Sequence, residues 1–500
     1  MSLAIDGDLI ARNPATGEEL GRVVATPPGA VAGVVERAQR AQELWGDLPW
    51  SERRALLNRW RRIISRDADL WADLIRAEIG KPPSEAAAGD VIPTLDALRW
   101  TETHGGAVLA DERIGPGWQR LLLTPTGRLR WRPLGVVGMI GTWNYPLFLN
   151  AVPIAQALAA GCGVVWKPSE FAVASGQRLQ ASLEEAGLPS GLVGLVQGGG
   201  EVGRALMEAP IAKMMFTGSV ETGRRALATA AARGIPGVIE LSGFDPAVIL
   251  PDAPLETTVR TIVWASMVGC GQTCVAVKRA LIVGDPTPWV EAFAAGIRAL
   301  RVGDPACPGV DVGPLIGTSA RDRFDETIRA AVRAGAEIVA GGRPIDGPGA
   351  FYEPTLLLAR DGEPEKVLEG VFGPVLLIRG LPDVEAAVAA ANSGRMALAA
   401  SVWGRDRRKA REVARRIVAG MTCVNEAVTP TASASAPFGG FKASGFGRTH
   451  GALGLREFAA PQVLFERRSG GFRPQLFPYG QGPSVDRFLK LYRRLFHPSA

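Results

Sequence analysis

The chain has 500 residues, 47% of them hydrophobic and 21% charged, which is globular rather than disordered composition. Five Cys without regular spacing exclude a disulfide framework, and three His without a paired Cys or His motif speak against a metal centre. The net charge of +6 sits in the tail: residues 466–500 hold seven cations and two anions, a sum of +5, which leaves about +1 for the rest and no case for nucleic-acid binding.

The N-terminus lacks a basic segment followed by an apolar run, so a cytoplasmic location is expected. Residues 30–78 show helical periodicity and predict two or three surface helices, which Pro82 and Pro83 interrupt. A further helix is expected over 91–104. Gly and Pro punctuation with alternating apolar positions predicts a hairpin-like excursion over 107–132. The uncharged stretch Pro133–Trp166 contains Asn144, Pro146, Asn150, Pro153 and Gln156, so it is no uniform membrane span. It reads as strand, turn, helix, strand.

From 133 to 240, strands over 135–141, 163–167, 191–197, 213–218 and 237–241 alternate with helices over 149–160, 172–186, 200–208 and 219–233. A second alternation runs from 246 to 423, with strands expected over 337–342 and 351–358 among others. Alternation of this kind predicts an α/β fold with parallel, doubly wound sheets in two lobes, and ligands beyond the carboxyl ends of the strands. Residues 430–450 and 469–483 read as loops. Over 485–496, Val485, Phe488, Leu489, Tyr492, Leu495 and Phe496 fall on one side of a basic helix that Ser484 caps and Pro498 stops.

The segment Gly269-Cys-Gly-Gln-Thr-Cys274 puts a Cys in a turn just before an apolar strand, a candidate exposed thiolate nucleophile. Cys162, Cys307 and Cys423 read as structural. Glu240 ends the strand GVIEL, where a carboxylate facing a cleft would serve as a general base of raised pKa, although a Glu at a strand end is more often simply solvated. Asn144 follows the strand GVVGMIG, where its amide would donate to an oxyanion, although an Asn before Tyr-Pro is usually a turn residue.

These words occur with others: Trp143-Asn-Tyr-Pro146, Lys167-Pro-Ser-Glu170, Phe216-Thr-Gly-Ser219, Glu240-Leu-Ser-Gly243, Gly271-Gln-Thr-Cys274, Phe372-Gly-Pro374 and Pro437-Phe-Gly-Gly-Phe-Lys-Ala-Ser-Gly445. In this order, from about Asn13 to about Pro461, the chain resembles the aldehyde dehydrogenase superfamily, of NAD(P)-dependent hydrolytic type. The resemblance implies that Cys274 attacks an aldehyde, that Asn144 and the Cys274 backbone N–H hold the oxyanion, and that Glu240 activates water to hydrolyse the thioester. It implies NAD as cofactor, with NADP disfavoured because Glu170 would repel a 2′-phosphate. Trp143, Lys167, Glu170, Gly218, Ser219, Gly223, Leu241 and Phe372 are the implied cofactor contacts, with Gly218 and Gly223 letting backbone approach the diphosphate. Tyr145, Phe148 and Phe438 are the implied substrate contacts, which favour an apolar or aromatic aldehyde, including long-chain or apocarotenoid ones.

Two positions depart from the family. Gly370 stands where a Glu usually holds the nicotinamide ribose, with Glu369 one residue away, and Phe244 replaces a Lys. A CoA-acylating dehydrogenase, which Glu240 disfavours, and a catalytically silent binding or scaffold member are the competing expectations. The implied domains are a cofactor-binding domain (1–106 and 133–240), a catalytic domain (241–435), oligomerisation strands (107–132 and 436–465) and a basic tail (466–500). A homodimer or tetramer is expected, with peripheral membrane contact through 484–497 as a second reading of the tail helix.

Overall fold

A computed structural model describes residues 8–115, 126–466 and 485–496. The chain divides into two compact units, 1–108 with 133–459, and 109–132 with 460–500.

The larger unit holds two sheets. The first runs Gly445–Phe446, Gly237–Leu241, Lys213–Gly218, Val136–Ile140, Gly163–Lys167, Val193–Leu195. Its last five strands are parallel, and Gly445–Phe446 pairs antiparallel at the edge. Strands such as Val136–Ile140 and Gly163–Lys167 are almost wholly buried, so they need apolar residues on both faces and show no alternation. The order reverses between Val136–Ile140 and Lys213–Gly218, which opens a crevice at their carboxyl ends.

The second sheet runs Ala336–Ala340, Thr355–Ala359, Val375–Leu381, Val277–Val283, Asp245–Ile249, Ala399–Trp403, Met421–Val424. Only its first pair is antiparallel. The expected strand over 351–358 shortens to Thr355–Ala359, because Pro354 has no N–H to give a ladder. That over 337–342 stops at Ala340, where Gly341 and Gly342 turn to φ of 66° and 93°.

Residues 30–78 form three helices, Val31–Asp47, Trp50–Arg66 and Ala68–Ile79. They are not merely superficial. Trp45, Trp60 and Trp71 are buried on their inner faces. The helix expected over 91–104 extends over Ile92–Val108.

The smaller unit contains a three-stranded sheet, Ala459–Glu466, Thr126–Pro133, Glu112–Ile114. The last two strands pair antiparallel, as the hairpin-like excursion requires, while residues 116–125 lie outside the described residues. The span 436–465 divides differently from the expectation. Residues 436–458 stay in the larger unit, where Gly445 pairs with Glu240 and Phe441–Lys442 with Met396–Ala397. Gly445 permits this: its φ is 116°, and a Cβ there would lie 1.9 Å from the Ile239 carbonyl oxygen. The tail helix spans Val485–Phe496, with Leu491, Leu495 and Phe496 exposed. Ser484, Pro498 and the 469–483 loop lie outside the described residues. Among the described residues, no helix is long and apolar enough to cross a membrane.

One buried ion pair anchors the helix Phe148–Ala160, which follows the first sheet's central strand. Asp90 Oδ2 lies 2.8 Å from Lys81 Nζ, and Asp90 Oδ1 accepts the N–H groups of Leu147 and Phe148 at 3.3 and 3.2 Å. These N–H groups have no intrahelical acceptor, so the carboxylate satisfies them. Asp90→Ala leaves the Lys81 charge buried and unpaired, and urea unfolding is expected to show a loss of about 3–5 kcal/mol. The double replacement Lys81→Met with Asp90→Leu is expected to lose less.

Candidate active site

Three connections between elements converge in the larger unit. Asn144 lies in the turn after Val136–Ile140. Glu240 is the penultimate residue of Gly237–Leu241. Cys274 lies between the helix Leu255–Met267 and the strand Val277–Val283. All three line one cavity of about 230 Å3.

The Cys274 loop is built on an unusual turn. Gly269, Cys270 and Gly271 all have left-handed φ, of 60°, 57° and 64°. A Cβ on Gly271 would lie 2.2 Å from the Gly373 carbonyl oxygen, so only glycine fits. Lys278, itself buried, donates from Nζ to the carbonyls of Gly271 at 2.8 Å and Gly373 at 2.6 Å. The Gln272 side chain donates to Gly269 O and accepts from the Ile316 N–H. Thr273 Oγ1 donates to Val268 O and lies 2.8 Å from the Tyr145 hydroxyl.

Asn144 is fixed to the same loop. The Thr142 hydroxyl donates to its Oδ1 at 2.8 Å, and its Nδ2 donates to the Gln272 carbonyl at 3.0 Å. The amide nitrogen carries two hydrogens, so one remains for a ligand. Thr142 is a site residue that the sequence did not single out, and no motif marks it.

Burial sets the protonation states. The expected exposed thiolate is instead a half-buried thiol, because burial, then the Asp245 and Glu240 charges, push Cys274 up to about 12. The backbone N–H groups of Val275 and Cys274 pull the other way. Glu240 is 6% exposed rather than solvated, and burial raises it well above the usual carboxylate range. Neither of its oxygens has a hydrogen-bond partner among the described residues.

Two further spaces adjoin the Cys274 cavity. Towards the second sheet and the helix Phe148–Ala160, a channel of about 360 Å3 is lined by Tyr145, Phe148, Trp264, Val268, Val428 and Phe438, among others, and by Cys274 itself. Towards the first sheet, a groove of about 660 Å3 shares Thr142, Trp143, Gly218 and Ser219 with the Cys274 cavity and extends to Lys167 and Glu170. Lys167 Nζ lies 3.5 Å from Glu170 Oε2. Ser219 caps the helix Val220–Ala232, its Oγ accepting the Thr222 N–H. Trp143 stacks edge-on against Phe171 and Phe372, and Leu241 and Phe372 line the Cys274 cavity.

Gly223 is a correction. It lines neither this groove nor the Cys274 cavity; a Cβ there would lie 2.5 Å from Leu241 Cδ2, so it lets the helix pack on the strand. Gly370 has φ of 89° and lines the Cys274 cavity. Glu369 turns away, its oxygens accepting the Arg395 and Met396 backbone N–H groups and the Arg395 guanidinium. Phe244 is buried beneath the Arg279 guanidinium, 4.8 Å from its ring centroid, in place of a charged side chain.

This geometry agrees with comparisons to known proteins. The family model described as "Aldehyde dehydrogenase family" matches residues 6–464. The succinate-semialdehyde dehydrogenase of Paenarthrobacter nicotinovorans is 34% identical over 448 residues, 88% of this chain and 97% of that protein. The 4,4'-diapolycopene aldehyde oxidase of Methylomonas sp is 32% identical over 475 residues, 94% of this chain and 88% of that one. The crystal structure of Mycobacterium tuberculosis aldehyde dehydrogenase complexed with NAD+ superposes with a TM-score of 0.88 at 32% identity, covering 94% of this chain and 96% of that one. The chain belongs to the aldehyde dehydrogenase family, and its α/β fold is that family's fold.

Gly271→Ala is expected to force the Cys274 loop off the Gly373 carbonyl. The cost is about 2 kcal/mol or more, read as a lower urea midpoint together with slower labelling of Cys274 by iodoacetamide.

Proposed function

We propose that this protein oxidises an apolar aldehyde to the carboxylic acid with NAD and water. The observation that carries this is the position of Cys274, which lines both the apolar channel and the cavity that adjoins the dinucleotide-shaped groove through Thr142, Trp143, Gly218 and Ser219.

The groove suits a dinucleotide. It offers a carboxylate, Glu170, for ribose hydroxyls and the capped N-terminus of Val220–Ala232 for a diphosphate. Gly218, Ser219 and Lys167 complete that contact, and Trp143, Leu241 and Phe372 bound the nicotinamide end. Bound there, NAD supplies the hydride acceptor.

The protein's own residues do the rest. The Cys274 thiol gives up its proton to solvent and the sulfur adds to the aldehyde carbon, while the free Asn144 amide hydrogen and the Cys274 backbone N–H hold the oxygen that becomes negative. Loss of hydride leaves a thioester on Cys274. Glu240, partnerless and beside the sulfur's cavity, takes a proton from water as the water attacks the thioester carbon. The C–S bond breaks, and the acid leaves.

The channel favours an apolar substrate. Its charged lining residues are Lys81 and Glu85. Lys81 is committed to Asp90 and lies 3.3 Å from the Tyr145 ring centroid, and Glu85 accepts the Gly269 N–H. No lining cation is left to hold a substrate carboxylate. Phe148, Phe438 and the Tyr145 ring supply flat apolar surface, which suits aromatic, long-chain or apocarotenoid aldehydes, in keeping with the printed name of the Methylomonas relative.

This reading includes a homo-oligomer assembled through the edge strand Ala459–Glu466, whose Val463, Leu464 and Phe465 are exposed. It also includes contact of Leu491, Leu495 and Phe496, with the adjacent Arg493 and Arg494, with anionic lipid.

Glu240→Gln is expected to form NADH in a single burst of about one per subunit and then stall, with turnover down about 100-fold or more. Cys274→Ala is expected to form none. Because only the carboxylate accepts a proton, hydrolysis in the parent enzyme falls as pH drops through a pKa above the usual carboxylate range. Thioester that decays equally fast in Glu240→Gln would overturn the hydrolytic role. Glu170→Gln is expected to raise the kcat/KM ratio of NADP to NAD about tenfold, as a like-charge contact is removed.

A further inference from the structure

His450 belongs to none of the roles assigned above, yet it lines both the Cys274 cavity and the aldehyde channel. It is 3% exposed, and its Nδ1 has no hydrogen-bond partner among the described residues. The ring is flanked by Phe148 and Phe438, with centroids 5.2 and 5.8 Å away.

The backbone pays for this placement. His450 has φ of 59°, a conformation that costs a non-glycine residue about 1 kcal/mol or more. Phe438 and Thr449 hold it there, each N–H donating to the other's carbonyl at 2.8 Å. The same segment is tied to Glu240. Gly445 pairs with Glu240, and a Cβ on Gly439 would lie 2.8 Å from Glu240 Oε1.

Burial drives His450 down to about 4, so the ring is neutral at pH 7. A neutral imidazole has one N–H and one lone pair. Nδ1 has no acceptor, and buried N–H groups are rarely left unpaired, so the proton belongs on Nε2. The cavity therefore holds a donor fixed on the imidazole and two partnerless acceptor oxygens on Glu240. Both residues line the Cys274 cavity, and a water there would accept from the imidazole and donate to the carboxylate.

We propose that His450 is a positioning residue for thioester hydrolysis: its Nε2–H donates to the oxygen of the water that Glu240 deprotonates, and holds that oxygen against the thioester carbon. The new bond joins the water oxygen to that carbon. The C–S electron pair returns to Cys274, the water proton goes to Glu240, and the Nε2 proton stays on His450. This inference rests on the hydrolytic role of Glu240.

His450→Phe keeps a flat ring between Phe148 and Phe438 and removes the donor. With NAD and an apolar aldehyde, the first-turnover rate of NADH formation is expected to stay within about twofold of the parent. Decay of the Cys274 acyl adduct, followed by intact-protein mass, is expected to slow about tenfold or more. His450→Gln, which restores an N–H, is expected to recover part of that loss. Adduct decay within twofold of the parent, or a first-turnover rate that falls as far as the decay rate, overturns the proposal. If His450→Phe does not fold, His450→Leu carries the same comparison. Glu240→Gln, run beside it, separates the two ideas. Unchanged decay in Glu240→Gln defeats the hydrolytic reading, whereas slowed decay there with normal decay in His450→Phe defeats only the role of His450.

Discussion

The Lys278 ammonium holds two backbone carbonyls together, those of Gly271 and Gly373, at 2.8 and 2.6 Å. The rest of the site depends on that clamp. It ties the left-handed turn Gly269–Gly271 to the loop that carries Phe372. A buried ammonium is costly, and burial brings Lys278 down to about 7, so the two carbonyls are what make it tolerable. With the turn fixed, Gln272 offers its carbonyl to Asn144, Thr273 meets Tyr145, and Cys274 is left at the boundary of two spaces.

The site's chemistry comes from exclusion of water more than from ion pairing. Cys274, Glu240 and Asp245 are each shifted upward mainly by burial. Burial pushes each of these groups towards its neutral form, and the site becomes reactive when a proton is moved. Fixed donors matter here because an N–H in low dielectric stabilises developing charge more strongly than it would in water. The Thr142 hydroxyl, which donates to the Asn144 Oδ1 and so orients the amide, belongs to that preorganisation.

Much of the cofactor lobe was legible because a buried parallel strand demands a short, wholly apolar run, and a helix between such runs follows from periodicity. The strands Gly163–Lys167, Lys213–Gly218 and Gly237–Leu241 match the expected spans to the residue. The residues 430–450 were not legible as pairing segments. Gly445–Phe446 is two residues long, and its partner lies about 200 residues earlier, so no local signal announces it. Gly223 looked like a phosphate-loop glycine, and only the approach of Leu241 shows it to be a packing glycine. His450 carried no motif at all. Its significance comes from neighbours 12 and about 300 residues away, Phe438 and Phe148.

By itself the sequence determined the two α/β alternations, the family, and the three residue types that meet in the cavity, because strand periodicity and short motif words are local properties of the chain. Tertiary structure alone decided the protonation states, the channel's lack of a free cation, and which glycines face ligand space rather than another helix or strand. Those depend on how much water is excluded and on which distant carbonyl or ring comes within contact, and neither quantity is written in any contiguous stretch of residues.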